Sequence, residues 1–404
     1  MKLKSVLSGV DSTAMILLSL YLLDPYNFGY LFGYLIIIYI FTRKKFFLPN
    51  LDGDFSLLLL FSITYSIFYC FDRSLGTQYI LIYLLFPPGF YLIGKYFAVK
   101  ARSAKELSSV LFIISFIYSL TTLISVLINI AAKGFVQIDR NIPVFWDGHI
   151  IPATNMSALL TLNMCIPALL IVNFKRSSFL PRIFSIVVFV ISLICVLRLG
   201  SRTQLGITLL TILATILYLF TKQSAAKNVL MFFALFALVN IGFSYFSFDK
   251  DSDIMSAYAS RMDSKEFGAA TAGGRTERWE KSIINLFEEP LGWSVQDFGF
   301  SHNMWFDVAR IGGFIAFILL VIYSIKSLIQ IKKTLTLNKS SIGINTMFLV
   351  YGMSFFLLFM VEPIFEGYFG VFTFFCFYKG ILNKYREAHL KNLRVENHSA
   401  ETTH

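Results

Sequence analysis

The sequence predicts an all-α protein that crosses a lipid bilayer many times, and three observations predict it. Apolar residues make up 56% of the 404 positions and charged residues only 15%, against about 25% charged in an ordinary soluble domain. The apolar residues fall in runs near the ~20-residue length that spans a hydrocarbon core as a helix. Basic residues gather in short clusters between alternate runs, as the positive-inside rule describes. That clustering also sets nucleic acid aside as a partner, despite the net charge of +11.

Twelve runs qualify as spans: 6–24, 27–42, 54–71, 78–98, 107–130, 153–174, 181–199, 203–221, 226–246, 304–328, 343–361 and 364–382. Pro87-Pro88 inside the fourth implies a kink, which neighbouring helices tolerate. The first run reads as a span rather than a cleavable leader, because no small-residue cleavage site follows it. Residues 1–246 thus form nine helices with a medium external loop at 131–152. A large loop at 247–303, three more helices over 304–383 and a polar, disordered tail at 384–404 complete the chain. With the N-terminus in the cytoplasm, 23 of the 35 Lys and Arg lie on the inner side, and both termini face inward. The four cysteines are scattered among apolar runs without metal-ligand spacing, so they read as packing residues, and no metal or cofactor is called for.

The polar residues left outside are unusual for so apolar a chain. Residues 247–310 hold eleven acids against seven basic residues. An anion site there must therefore come from a few oriented side chains, not from a diffuse positive field. The segment 275–288 reads as an amphipathic helix, with Trp279, Ile283, Ile284 and Phe287 at helical spacing and Arg275 one turn from Trp279. His302 precedes the tenth span, and Asn303, Asp307 and Arg310 follow it as a polar stripe. A neutral histidine near a hydroxyl can accept its proton or orient it. Ser201-Arg202 opens the eighth span, with Arg198 one turn earlier. An arginine at a span end either snorkels to the interface or clamps a phosphate with its planar fork. Arg140, Trp146, Asp147 and His149 sit in the medium loop. Glu362 and Glu366, in the last external turn, either line the mouth or cap a helix.

In this order the motifs resemble those of the bacterial O-antigen polymerase and O-antigen ligase superfamily of integral membrane glycosyltransferases. The features carrying the resemblance are Ser201-Arg202 at the start of a middle helix, Gly274-Arg275 to Trp279 in a large late loop, Pro290-Leu291-Gly292, and His302-Asn303 with Gly313 eleven positions on. The topology matches along the whole chain; the motifs cover about 200–315. Gly206 interrupts the Leu-rich run usual after the Ser-Arg pair, and Trp305-Phe306 stands where a Leu is usual after His-Asn.

The resemblance implies transfer of a glycan from undecaprenyl diphosphate to an acceptor sugar hydroxyl on the periplasmic face of the bacterial inner membrane. It implies a metal-independent, inverting displacement. Arg202 and Arg275 would hold the diphosphate with Arg140 or Arg278 assisting, and His302 would activate or orient the acceptor. Arg198, Asn303 and Trp279 complete the expected substrate contacts. The expected partners are the lipid-linked oligosaccharide, an acceptor glycan (a lipid-linked repeat unit or lipid A-core), the bilayer and a chain-length regulator. Polymerase is the first reading and ligase the alternative; a lipid-linked oligosaccharide flippase is the rival from another class. A flippase calls for charges along a mid-membrane pathway and, in many transporters, for paired halves.

Overall fold

The computed structural model describes residues 11–135, 141–173, 179–233, 240, 275–296, 299–337 and 341–401, the last ten without their side chains. It is helical almost throughout, and it divides into two units, Met1–Leu120 with Gly274–His404, and Thr121–Gly273.

The first unit begins with α1 (Ser12–Leu23) and α2 (Gly29–Phe41), followed by α3 (Lys44–Phe47), α4 (Gly53–Tyr69) and α5 (Gln78–Lys100). Asp11 caps α1 by accepting from the Thr13 and Ala14 amides, and Asp52 caps α4 by accepting from Asp54 and Phe55. The chain turns sharply after α1 because Asp24, Tyr26 and Asn27 take positive φ. At about 1.5 Å rise per residue, α1 and α2 each reach only about 20 Å. Among the described residues, these two apolar runs form helices shorter than a full span. α6 (Ala104–Lys133) leaves this unit.

After the gap in description come α11 (Arg275–Glu288), α12 (Met304–Leu337), α13 (Ile342–Val361), α14 (Ile364–Gly367) and α15 (Phe369–Glu401). The helical backbone of α15 continues to Glu401, so the expected break into a disordered tail after residue 384 is replaced by helix. α5 and α15 approach closely because two glycines face each other's backbone: a Cβ on Gly94 would collide with the Phe377 carbonyl, and one on Gly380 with the Tyr91 carbonyl. Small residues at a helix crossing permit such contact. Pro87 and Pro88 lie buried within an α5 that runs from Gln78 to Lys100. Around this seam the rings of Tyr65, Tyr83, Phe365 and Phe372 pack at 4.7–5.9 Å between centroids, edge to face between Tyr65 and both Tyr83 and Phe365.

The same helices enclose a buried ionic network. Asp54 pairs with Lys326 at 2.5 Å and lies 4.0 Å from the wholly buried Lys379; it also accepts from Gln330 and Asn383. Lys95, equally buried, pairs with Asp52 at 2.5 Å and Glu387 at 3.1 Å, and Tyr91 donates to Asp52. The lysines at 95, 326 and 379, which in the sequence are topology flags, are thus tied into the packing.

The second unit holds the end of α6, a hairpin of β1 (Ile142–Pro143) and β2 (Ile150–Ile151), then α7 (Ala153–Leu159), α8 (Ile166–Asn173), α9 (Phe179–Arg198) and α10 (Arg202–Phe220). The hairpin pairs Ile142 with Ile151 and is held to α6 by a bond from the Phe145 amide to the Ser125 hydroxyl. The expected span 153–174 is bent by 52° between its two helical pieces.

Among the described residues, six helices are long and apolar enough to cross a membrane, or eight if each bent pair counts as one span. This is the composition of an all-α membrane protein. Of the expected ninth span, residues 226–233 and 240 are described; residues 247–274 of the large loop lie outside the described residues.

Candidate functional site

The site expected between 275 and 310 comes together within the first unit. α11 has the bounds read from its amphipathic period. Its Ser282 and Leu286 face inward, where Leu286 joins Trp293 and Ala309 in a small core. Ile283, Ile284 and Phe287 are exposed, and Phe287 meets Phe314 at 6.3 Å. Phe314 opens an exposed apolar strip of α12 that continues through Ile315 and Ile318. An apolar stripe on a charged helix, continuous with the exposed face of a membrane-length helix, suits an element lying in the bilayer interface.

The polar side of α11 fastens the chain around His302. The Trp279 indole donates to the Ser301 carbonyl and Arg278 Nη1 to the Phe300 carbonyl, both at 3.0 Å. From the other side Asp307, wholly buried on the first turn of α12, accepts from the Ser301 amide and hydroxyl at 2.8 Å and from the Asn303 amide at 3.3 Å. Asn303 Oδ1 accepts from the Trp305 and Phe306 amides, capping α12. Pinned at both neighbours, His302 takes φ +54°, a left-handed conformation uncommon for a side-chain-bearing residue. Strain of this kind recurs where geometry serves a site.

His302 Nδ1 is buried and has no hydrogen-bond partner among the described residues. Burial, and then the charges of Arg275 and Arg278, push its pKa down from the usual 6.5 to about 4. The ring is therefore neutral at pH 7, with a lone pair available. Arg275 is partly exposed and lies 3.7 Å from Glu362, which is buried. Arg278 donates to Phe300. Two guanidinium groups one turn apart, flanking a neutral imidazole, can hold an anion beside a group that accepts a proton.

Other expected site residues have different positions. Arg310 is buried at 3% exposure, with Glu366 on one side and Asp72 at 3.7 Å on the other; it holds the helix ends together. Gly313 breaks α12 with φ +67° and ψ −174°, and the Phe314 amide bonds back to the Pro290 carbonyl at 2.8 Å. The Pro290–Gly292 turn is thereby docked on α12.

In the second unit Arg198 is fully buried, 0% exposed, and donates Nη2 to Asn129 at 3.0 Å. This replaces the expectation of a snorkelling or substrate-facing side chain. Arg202 opens α10 and is partly exposed; Ser201 bonds Gln204, which reaches Thr161. Arg140 lies outside the described residues. His149 pairs with Asp147 at 2.6 Å on the surface, holding that carboxyl below its ordinary range.

Sequence reasoning left open the role of Glu362 and Glu366, and the structure makes each the counterion of an arginine. Their signal was present: two acids in an otherwise apolar turn between apolar helices need cationic partners. Among the described residues, no three His, Cys, Asp or Glu side chains group as metal ligands. No protein-family model and no curated protein matches the chain.

Proposed function

We propose that the chain is a membrane glycosyltransferase that moves a glycan from a polyprenyl diphosphate to a sugar hydroxyl at the membrane surface, acting as a polymerase of surface polysaccharide. The observation that carries this reading is the buried, unpartnered Nδ1 of His302 beside Arg275 and Arg278. The donor's leaving group is a diphosphate whose negative charge grows as the glycosidic bond breaks. Fixed guanidinium groups stabilise that charge in the transition state. The imidazole orients the acceptor hydroxyl and takes its proton as the new bond forms on the opposite face of the sugar, giving inversion.

The electrostatics support an ordered cycle. Without donor, burial first and then the two arginines keep the ring neutral. A bound diphosphate offsets their charge, so the ring becomes a better base when the donor is present. The apolar stripe of α11 suits a substrate whose diphosphate lies at the level of the lipid headgroups. Arg202 keeps its role from the motif resemblance alone.

The test is reconstitution of the purified chain with a defined lipid-linked repeat unit, comparing wild type with His302→Ala and Arg275→Ala. Each variant is expected to lose at least about 100-fold in chain extension, with unchanged melting temperature. Normal extension by either variant would overturn the reading. Lipopolysaccharide gels of a deletion strain separate the two acceptors: core plus one repeat supports a polymerase, bare core supports the ligase assignment. Transbilayer movement of the lipid-linked unit without bond formation would make the chain a flippase.

A further inference from the structure

A second site lies at the ends of α2, α3 and α5. There the structure has a cavity of about 700 Å³, within the ~300–1,000 Å³ typical of small-ligand sites. Its charged lining is all basic: Arg43, Lys44, Lys45, Lys100 and Lys384. Two of these are answered locally. Lys384 pairs with Glu387 at 3.0 Å. Arg43 donates to the Tyr39 hydroxyl, which with Tyr96 donates to Asp11, so one carboxylate stands behind that wall. Lys44, Lys45 and Lys100 form no ion pair among the described residues. Asn50, also in the lining, is buried, and its Oδ1 accepts no hydrogen bond. Lys100 lies over the Tyr96 ring at 5.4 Å, but three cations without a carboxylate among the described residues, around an open hollow, call for a phosphate, and an unused acceptor beside them calls for a hydroxyl or ammonium donor.

The surroundings favour a lipid as the source of that phosphate. Lys100 closes a membrane-length helix, so the cavity stands at headgroup level. Val99 lines it and is exposed, and Ile38 and Leu48, near it in sequence, are also exposed; acyl chains can pack on such side chains. Basic pockets at helix ends are a recurrent way of holding anionic headgroups.

We propose that this cavity binds the phosphate of an anionic phospholipid, with Lys44, Lys45 and Lys100 as its cationic wall and Asn50 accepting from the headgroup. The inference rests on the membrane character of the chain and stands or falls independently of glycan transfer. The test uses the full-length protein in neutral detergent, with retained lipid read by native mass spectrometry. At about one basic residue's attraction per lysine, dioleoylphosphatidylglycerol is expected to bind about 100-fold more tightly than dioleoylphosphatidylcholine. The triple variant Lys44→Gln/Lys45→Gln/Lys100→Gln should lose most of that preference. The corresponding triple Arg variant should keep it, as should Lys332→Gln/Lys333→Gln, which removes charge elsewhere. Equal binding of the two lipids, or a preference untouched in the triple Gln variant, would overturn the proposal. Displacement of the lipid by millimolar inorganic phosphate alone would overturn the lipid source and make the ligand a soluble phosphate.

Discussion

The two charged clusters of the first unit are built on opposite plans. Around Asp52 and Asp54 the charges are answered: the buried Lys95 and Lys379 and the more exposed Lys326 meet carboxylates, and Gln330, Asn383 and Tyr91 add hydrogen bonds. Around His302 the arginines are partly exposed, one imidazole nitrogen is buried without a partner, and the backbone is strained. The difference teaches how to separate structure from site in an apolar chain. A network whose charges pair with one another holds helices in register and has little charge left for a ligand. A cluster left incomplete is held open by its neighbours for something that completes it.

The largest effect should come from breaking the complete cluster. Asp54→Ala strips Lys326 and Lys379 of their shared counterion and leaves a buried ammonium uncompensated. Losing one partner of a buried pair costs about 3–5 kcal/mol, so the variant should melt far below wild type in detergent. Arg275→Ala, whose pair with Glu362 is long and partly exposed, should cost less than about 1 kcal/mol while abolishing chain extension. If Asp54→Ala melted normally, the claim that this network holds the helices would fail.

A middle-sized effect should separate the attachment of the site from its chemistry. Gly313 has φ +67°, and a Cβ there would stand 2.7 Å from the Pro290 carbonyl. Gly313→Ala should therefore cost about 1–3 kcal/mol and loosen the turn that joins α11 to α12. Melting and extension should fall together, unlike in His302→Ala. A variant that keeps full stability would show that the turn tolerates another backbone.

How much of this could be read beforehand depends on the range of the forces involved. The amphipathic period of 275–288 is local, and the helix has those bounds. His302 stands out in the sequence as a histidine in a polar segment before a span, and it lies between the arginines' helix and α12. The twelve apolar runs count composition correctly but cannot register where the chain bends. The break after Leu159 bends one expected span by 52°, and positive φ at Asp24, Tyr26 and Asn27 sharpens the turn between the first two. Lys95 and Glu387 meet across 292 positions, so hydropathy alone marks both as solvent-facing. Arg198 similarly reads as an interfacial residue until Asn129, 69 positions earlier, is brought to it.

The smallest effect tests the electrostatics of the incomplete cluster directly. His302 has its folded pKa lowered from 6.5 to about 4. Between those values the unfolded chain binds this proton and the folded chain does not. Stability therefore rises with pH across that window and is lost as pH falls from 6.5 towards 4. In His302→Gln the contribution is absent, so the melting temperature of wild type relative to the variant should drop by a few degrees over the same interval and stay level above pH 7. A diphosphate that pairs with Arg275 and Arg278 removes part of the repulsion. It should narrow the window from the acid side without closing it, because burial is the larger cause. A difference between the two proteins that is flat from pH 7 to pH 4 would mean that His302 titrates normally, and the neutral imidazole would lose its basis.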